Sequence, residues 1–559
     1  MGSINGTNST GMYIHPISPG PPTVTIIGGG FSGISALYRC RKLGFDARIL
    51  ERGDDFGGVW YWNRYPGARV DSERPFYQLN IPEAYESWTF SERFPDHNEL
   101  RRYINHIDKV LNLTKNTIFN AKVIKATFDD AAAEWTVSTA SGLCISSKYL
   151  ILATGLLHKE YVPDLPGLAT YKGRVEHSAS YPQDLILQGR KVAVVGSGAT
   201  AVQIVQSAAK DTAVAGSLTV LMRRPSTCVP LRQQRLSAAD QGKWKGYFCT
   251  LFNAGRESFT GFPLASTGKM VTQVTEQERE ARFEELWQRG AFNFLLAGYI
   301  DIAASPEANR AIYDFWARKV RERITDPFKR DIMAPLEPVY PFGTKRPPLE
   351  ADYYECLDMD HVEIVPLEKN PIKNFVDNGV ILQDDTHRQL DVVILATGFD
   401  SFTGSLTQLG LKGKDGTDLD EVWSGGVRTH LGMFVNGFPN AFIIYGPQAP
   451  TAFSNGPTIL ECQADLVAET MARMEKEGIC SIEATLQAED DWGKATDATV
   501  QGTLMNETNS WWNGGNIPGK KIQTLVFNVG ISRYEEICRG KLATWEGFDV
   551  SKKTGARLA

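Results

Sequence analysis

The chain has 559 residues, too many for a single hydrophobic core, so two or more domains are expected. With 42% hydrophobic and 22% charged residues it has the balance of a globular protein, and a formal net charge of -6 argues against nucleic acid or an anionic membrane as its main partner. Eight cysteines without a Cys-x-x-Cys pair, eight histidines without a His-x-x-x-His pair and no apolar run long enough to span a bilayer argue against a disulfide scaffold, a dithiol redox centre, a metal site and a membrane span.

Residues 1–22 are polar and rich in Gly, Pro and Ser, and are expected to form a flexible tail. They have neither the basic start nor the apolar core of a secretory signal. Residue 6 is Gly6, where a myristoylation pattern needs Ser or Thr. Ala556-Arg557-Leu558 resembles a peroxisomal address but is followed by Ala559, so a cytoplasmic location is expected. Asn112-Leu113-Thr114 fits a glycosylation pattern and, in a cytoplasmic protein, is read as chance.

The first informative segment is TVTIIGGGFSGISALYRCRKLG. A β-branched run enters Gly28-x-Gly30-x-x-Gly33, and a helical pattern with Ile34, Leu37 and Leu43 follows. Gly28 suits a tight turn, Gly30 the approach of a pyrophosphate, and Gly33 close packing of helix on strand. The helix start offers free N–H groups and a positive dipole to phosphates. The next strand, ARILER, ends in Glu51, whose carboxylate accepts bonds from a ribose diol and repels a 2′-phosphate. This loop is therefore expected to take FAD or NAD rather than NADP.

GRKVAVVGSGATAVQIVQSAAK repeats the pattern. Residues 191–195 enter Gly196-x-Gly198-x-x-Ala201, but the following strand, SLTVLMRR, ends in Arg223 and Arg224 instead of an acid. Paired guanidinium groups suit a phosphate dianion, so NADPH is expected here. KYLILATG and DVVILATGF end in Ala-Thr-Gly turns, the second far downstream. The expected fold class is α/β: two dinucleotide-binding, Rossmann-like domains with an inserted helical subdomain. FAD would occupy residues 23–160 and 390–559, NADPH residues 161–231 and 336–389. Residues 232–335 carry charged helical periodicity, read as a helical insertion that caps a cleft.

Five stretches together resemble the type I Baeyer–Villiger monooxygenases, the FAD- and NADPH-dependent, cyclohexanone-monooxygenase-like enzymes. They are the two loops, GGVWYWNRYPGARVD over residues 57–71, PFGTKRPPLEADYYE around Arg346, and SWWNGGNIPGK around Trp511. A sixth, YKGRVEHSASYP, resembles the family's Phe-x-Gly-x-x-x-His-x-x-x-Trp, with Tyr171 for Phe and Tyr181 for Trp. Both changes are aromatic for aromatic, which preserves stacking and packing.

The resemblance implies insertion of one oxygen atom from O2 beside a ketone carbonyl, giving an ester or lactone through a flavin-peroxide intermediate. It implies Arg346 over the flavin as the catalytic cation, held by Asp71. Trp60, Tyr77 and Val123 join Gly28, Gly30, Gly33 and Glu51 as expected cofactor-binding residues. Gly196, Gly198, Ala199, Thr200, Arg223, Arg224, Lys345 and Trp511 are their counterparts for NADPH. In an extended segment adjacent side chains diverge, so Lys345 is expected to reach the 2′-phosphate while Arg346 faces the flavin. Gly343, Pro347 and Pro348 favour that shape. Thr451, Ala452 and Phe453 are expected to line the substrate pocket, and Gly456, where some members carry a larger side chain, to make it roomier. His177 is expected to couple domain motion to catalysis. The partners expected are a small-molecule ketone and O2, with no nucleic acid and no membrane, in a monomer or weak oligomer. The alternative is a related flavin monooxygenase that oxygenates amines or sulfides; Arg346 with Asp71 favours the ketone.

Overall fold

The computed structural model describes residues 20–210 and 215–552. The expected tail up to residue 19 and the address-like tripeptide at 556–558 lie outside the described residues.

Two five-stranded parallel sheets carry the fold. The first runs in the order Ala441–Ile443, Tyr149–Leu152, Val24–Ile27, Ala47–Leu50, Thr117–Ile118. The second runs Val362–Pro366, Ala215–Met222, Arg190–Val195, Val392–Leu395, Arg174–His177. Strands such as VTII and VVIL are buried at every position, as in parallel sheets covered on both faces by helices. The helices Phe31–Lys42 and Ala199–Lys210 leave the two glycine-rich loops and pack back on their sheets. The long helix Gly456–Glu477 packs on Phe31–Lys42 and completes the first body.

One expected boundary is corrected. Val392–Leu395 pairs with both Arg190–Val195 and Arg174–His177, so the second body extends past residue 390 to the end of this strand. Four buried branched residues fit either sheet by composition; only pairing assigns them.

The insertion holds the helices Ala238–Lys245, Phe248–Arg256, Glu276–Arg289, Pro306–Arg321 and Pro327–Met333. Their starts are written locally. Thr275 and Glu278 form a reciprocal cap, and Ser305 and Asp326 each accept a backbone N–H ahead of a proline in the first turn. Phe283, Trp287, Phe294, Phe315 and Trp316 fill its core, and Trp316 Nε1 donates to the Cys228 carbonyl at 2.7 Å. The charged faces point outward, and one aromatic, Phe292, reaches the site described below.

Candidate active site

The first loop is closed by packing. A Cβ on Gly33 would overlap the Gly28 carbonyl oxygen, so the helix sits against the strand as only glycine permits. The stretch 57–71 forms a second wall: Gly57 N donates to the Gly29 carbonyl at 3.0 Å. Glu51 is buried and accepts from Gly29 N at 2.6 Å and Gly53 N at 2.7 Å. Burial pushes its carboxyl up and these N–H bonds pull it partly back, with a net rise. Glu51 thus braces the loop, and its remaining lone pairs are what a ribose diol would meet. Trp60 Nε1 donates to Tyr77 Oη at 3.0 Å, with the rings edge-on, and Tyr77 packs 5.6 Å from Phe31. Val123 opens the strand Val123–Asp129, two residues after Ala121, whose N–H donates to the Glu51 carbonyl at 2.8 Å.

The second loop differs in one respect. A Cβ on Gly198 would meet no protein atom within 4 Å, so its side of the loop faces open space at the start of Ala199–Lys210. Ala199 and Thr200 open that helix. Thr200 Oγ1 lies 3.5 Å from Tyr65 Oη, and Tyr65 Oη donates to Gln203 Oε1 at 3.0 Å. The 57–71 stretch therefore touches both nucleotide loops, the first through Gly57 and the second through Tyr65.

Arg223 and Arg224 are exposed just beyond the strand Ala215–Met222. Arg224 Nε pairs with Glu368 at 2.6 Å. Lys345 places its ammonium 4.5 Å over the Tyr340 ring, near enough to feel the charges of both arginines. Burial, then the charges of Arg224 and Arg223, push the Lys345 pKa down; Glu368 opposes them. Three cations beside a single carboxylate make a site that gains from a phosphate dianion.

Arg346 turns the other way. Its Nε and Nη2 donate to Asp71 Oδ2 and Oδ1 at 2.7 and 2.9 Å. Its Nη1 donates to the carbonyls of Ala452 and Ser454 at 3.1 and 3.3 Å, and its Cζ lies 4.5 Å over the Phe292 ring. Burial works against the guanidinium charge, but Asp71 outweighs it and the pKa is raised. A guanidinium has five N–H donors, so one on Nη2 remains unspent among the described residues.

The expected pocket residues are placed unevenly. Phe453 is partly exposed and packs against Trp512 at 6.0 Å, whereas Thr451 and Ala452 are buried. The Thr451 hydroxyl turns to the Ala449 carbonyl at 3.3 Å. Gly456 does not leave added room: a Cβ there would stand 3.3 Å from Tyr445 Oη, so Tyr445 takes that space. Trp511 stacks on Phe402 at 5.7 Å and 16°. Its neighbour Trp512, which the sequence reading passed over, donates from Nε1 to the Thr344 carbonyl at 2.9 Å and so fixes the residue before Lys345. The Trp-Trp doublet was its only local signal.

His177 ends the strand Arg174–His177 at the edge of the second sheet, its ring 5.9 Å from that of Phe399. Its Nδ1 accepts from Ala179 N at 3.2 Å and lies 3.9 Å from Glu160, while Nε2 has no partner among the described residues. Burial lowers its pKa, with Glu160 opposing. Tyr171 Oη donates to the Leu390 carbonyl at 2.8 Å; the buried Tyr181 hydroxyl has no partner among the described residues.

The site's residues fit two dinucleotides, on the open face at Gly198, the cation cluster and the braced first loop. Among the described residues no group of His, Cys, Asp and Glu is placed to hold a metal ion, and no helix is long and apolar enough to cross a membrane.

Comparison with known proteins agrees with this geometry. Residues 22–224 match the family model described as flavin-binding monooxygenase-like. Cyclopentanone 1,2-monooxygenase of Comamonas sp. is 37% identical over 91% of this chain and 92% of its own length. Phenazine N-monooxygenase of Lysobacter antibioticus is 34% identical over 96% and 98%. The crystal structure of OTEMO in complex with FAD and NADP superposes with a TM-score of 0.90 at 32% identity, covering 95% of this chain and all of that one (100%). With two nucleotide loops, a paired Arg346 and near full-length relatives, this chain belongs to the flavin-binding monooxygenases, among the FAD- and NADPH-dependent type I Baeyer–Villiger enzymes.

Proposed function

We propose that this enzyme inserts one atom of O2 beside the carbonyl of a small-molecule ketone and releases an ester or lactone. The observation that carries the reading is Arg346, held by both oxygens of Asp71 and left with one N–H unspent among the described residues. FAD supplies oxygen activation when bound, and NADPH supplies the hydride that reduces it. The protein's part is positional and electrostatic. Arg346 keeps its charge through the working pH range and offers it where a ketone oxygen becomes negative. Asp71 orients the guanidinium without neutralising the free donor. Lys345, Arg223 and Arg224 hold the 2′-phosphate of NADPH, and Trp512 keeps Lys345 in register by fixing Thr344. His177, whose Nε2 has no partner among the described residues and whose ring packs on Phe399 just beyond the last strand of the second sheet, links the position of the two bodies to the site.

The eight cysteines are all free and five are buried, which fits a reducing compartment such as the cytoplasm.

Purified holoenzyme with NADPH, oxygen-18 gas and a panel of cyclic and linear ketones tests the reading. An ester or lactone carrying one labelled oxygen is expected. A second reading, oxygenation of a nitrogen or sulfur centre, draws on the phenazine N-monooxygenase relative. A labelled N-oxide from heteroaromatic amines, with no ester from any ketone, would favour it.

A further inference from the structure

Tyr445 is a residue that neither the motifs nor the pocket segment point to. It follows the strand Ala441–Ile443 of the first sheet and adopts φ +62, a left-handed conformation that an aromatic residue rarely accepts. The conformation is enforced. Gln463 Oε1 accepts the Tyr445 N–H at 2.7 Å, and Gln463 is fully buried with its Nε2 donating to Tyr534 Oη at 2.9 Å. Backbone strain held by the surroundings in this way concentrates at functional sites.

The side chain it aims is equally specific. The Tyr445 side chain points at Gly456, two residues beyond the Ser454 carbonyl that Arg346 holds, and its hydroxyl feels the charges of Arg346 and Asp71. That hydroxyl stands over Gly456, in the space a Cβ would need. It makes no hydrogen bond with any described residue. Burial pushes its pKa up to about 12, so it remains a neutral O–H donor at working pH. The chemistry available to an unspent phenol O–H beside an Arg–Asp pair is donation to an acceptor oxygen.

We propose that Tyr445 is a ligand-binding residue whose hydroxyl donates to a carbonyl oxygen bound beside Arg346, and that Tyr445 over Gly456 sets the size of the pocket there. The carbonyl belongs either to the ketone or to the flavin's dione ring. The ketone source rests on the ketone reading above; the flavin source does not.

The test uses Tyr445→Phe holoenzyme beside wild type. KM for the ketone, KM for NADPH, the flavin absorbance spectrum and the flavin midpoint potential are measured. If the ketone is the acceptor, its KM rises about 3- to 10-fold, as for one lost hydrogen bond, with the other three unchanged. If the flavin is the acceptor, spectrum and potential shift while both KM values stay. All four unchanged overturns the proposal. Wild type that makes no ester from any ketone refutes the ketone reading instead, and the flavin measurements still decide. Gly456→Ala supplies the second variant. Its Cβ would crowd Tyr445 Oη, so it should shift the same quantity as Tyr445→Phe and add nothing in the Tyr445→Phe background. Full additivity of the two changes overturns the pairing.

Discussion

Asp71 grips Arg346 with both carboxylate oxygens across 275 residues of sequence, at 2.7 and 2.9 Å. The grip is lopsided by design of the surrounding backbone. Two carbonyls, of Ala452 and Ser454, take the donors of Nη1, so among the described residues only Nη2 keeps a hydrogen for anything else. A cation so arranged is rigid, charged and directional, which is what stabilising charge on a reacting oxygen requires.

Arg346→Ala and Arg346→Lys should both lower ester formation by about 100-fold or more, because an ammonium cannot reproduce the bidentate fork. Reduction of the flavin by NADPH should persist in both. Product yield and anaerobic flavin bleaching, measured in parallel, check this. An Arg346→Lys enzyme with full ester yield would show that charge alone suffices.

The two glycine-rich loops should respond differently to the same change. Gly33→Ala places a Cβ onto the Gly28 carbonyl oxygen, so helix and strand must part. Overpacking of this kind typically costs about 1–3 kcal/mol and sometimes more, and the protein is expected to lose its yellow colour on purification. Gly198→Ala meets no protein atom, so Tm should stay within about 1 °C. KM for NADPH should nevertheless rise about tenfold, since that face is where phosphates approach.

Lys345 makes cofactor affinity depend on pH. Burial and the two arginines lower its pKa, so it loses its proton below the ordinary lysine value of about 10.4. A phosphate dianion favours the charged form. NADPH affinity is therefore full on the acid side of the lowered pKa and falls as pH rises through it. KM for NADPH, followed from neutral into alkaline buffer, should climb earlier in wild type than free lysine predicts. Lys345→Ala should raise KM throughout and flatten the climb, and an unchanged profile would remove Lys345 from the phosphate site.

The two tyrosines in the altered linker motif are not equivalent. Tyr171→Phe deletes the hydrogen bond to the Leu390 carbonyl and should lower stability by about 1 kcal/mol. Tyr181→Phe deletes a buried hydroxyl without a partner among the described residues, and should leave Tm unchanged or raise it. Thermal unfolding of the two variants side by side decides it, and equal losses would mean that a water serves Tyr181.

The sequence by itself determined the local chemistry. Short β-branched runs, glycine spacing and caps such as Thr275 with Glu278 act over a few residues, so the loops, their helices and the acid-versus-arginine contrast of Glu51 with Arg223 and Arg224 were legible before any coordinates. The resemblance paired Asp71 with Arg346, but no local pattern measures a distance across 275 residues. Tertiary structure alone decided the rest. It gave Val392–Leu395 to the second sheet, since a buried apolar strand is assigned by its neighbours and not by its composition. It gathered Lys345 with Arg223 and Arg224, and Trp512 with Thr344, because side chains from distant segments meet only where packed layers bring them together. It turned the space expected at Gly456 into the seat of Tyr445, whose left-handed backbone is held by Gln463 against the intrinsic preference of an aromatic residue. Local propensity is worth little against such contacts, and at the site the contacts prevail.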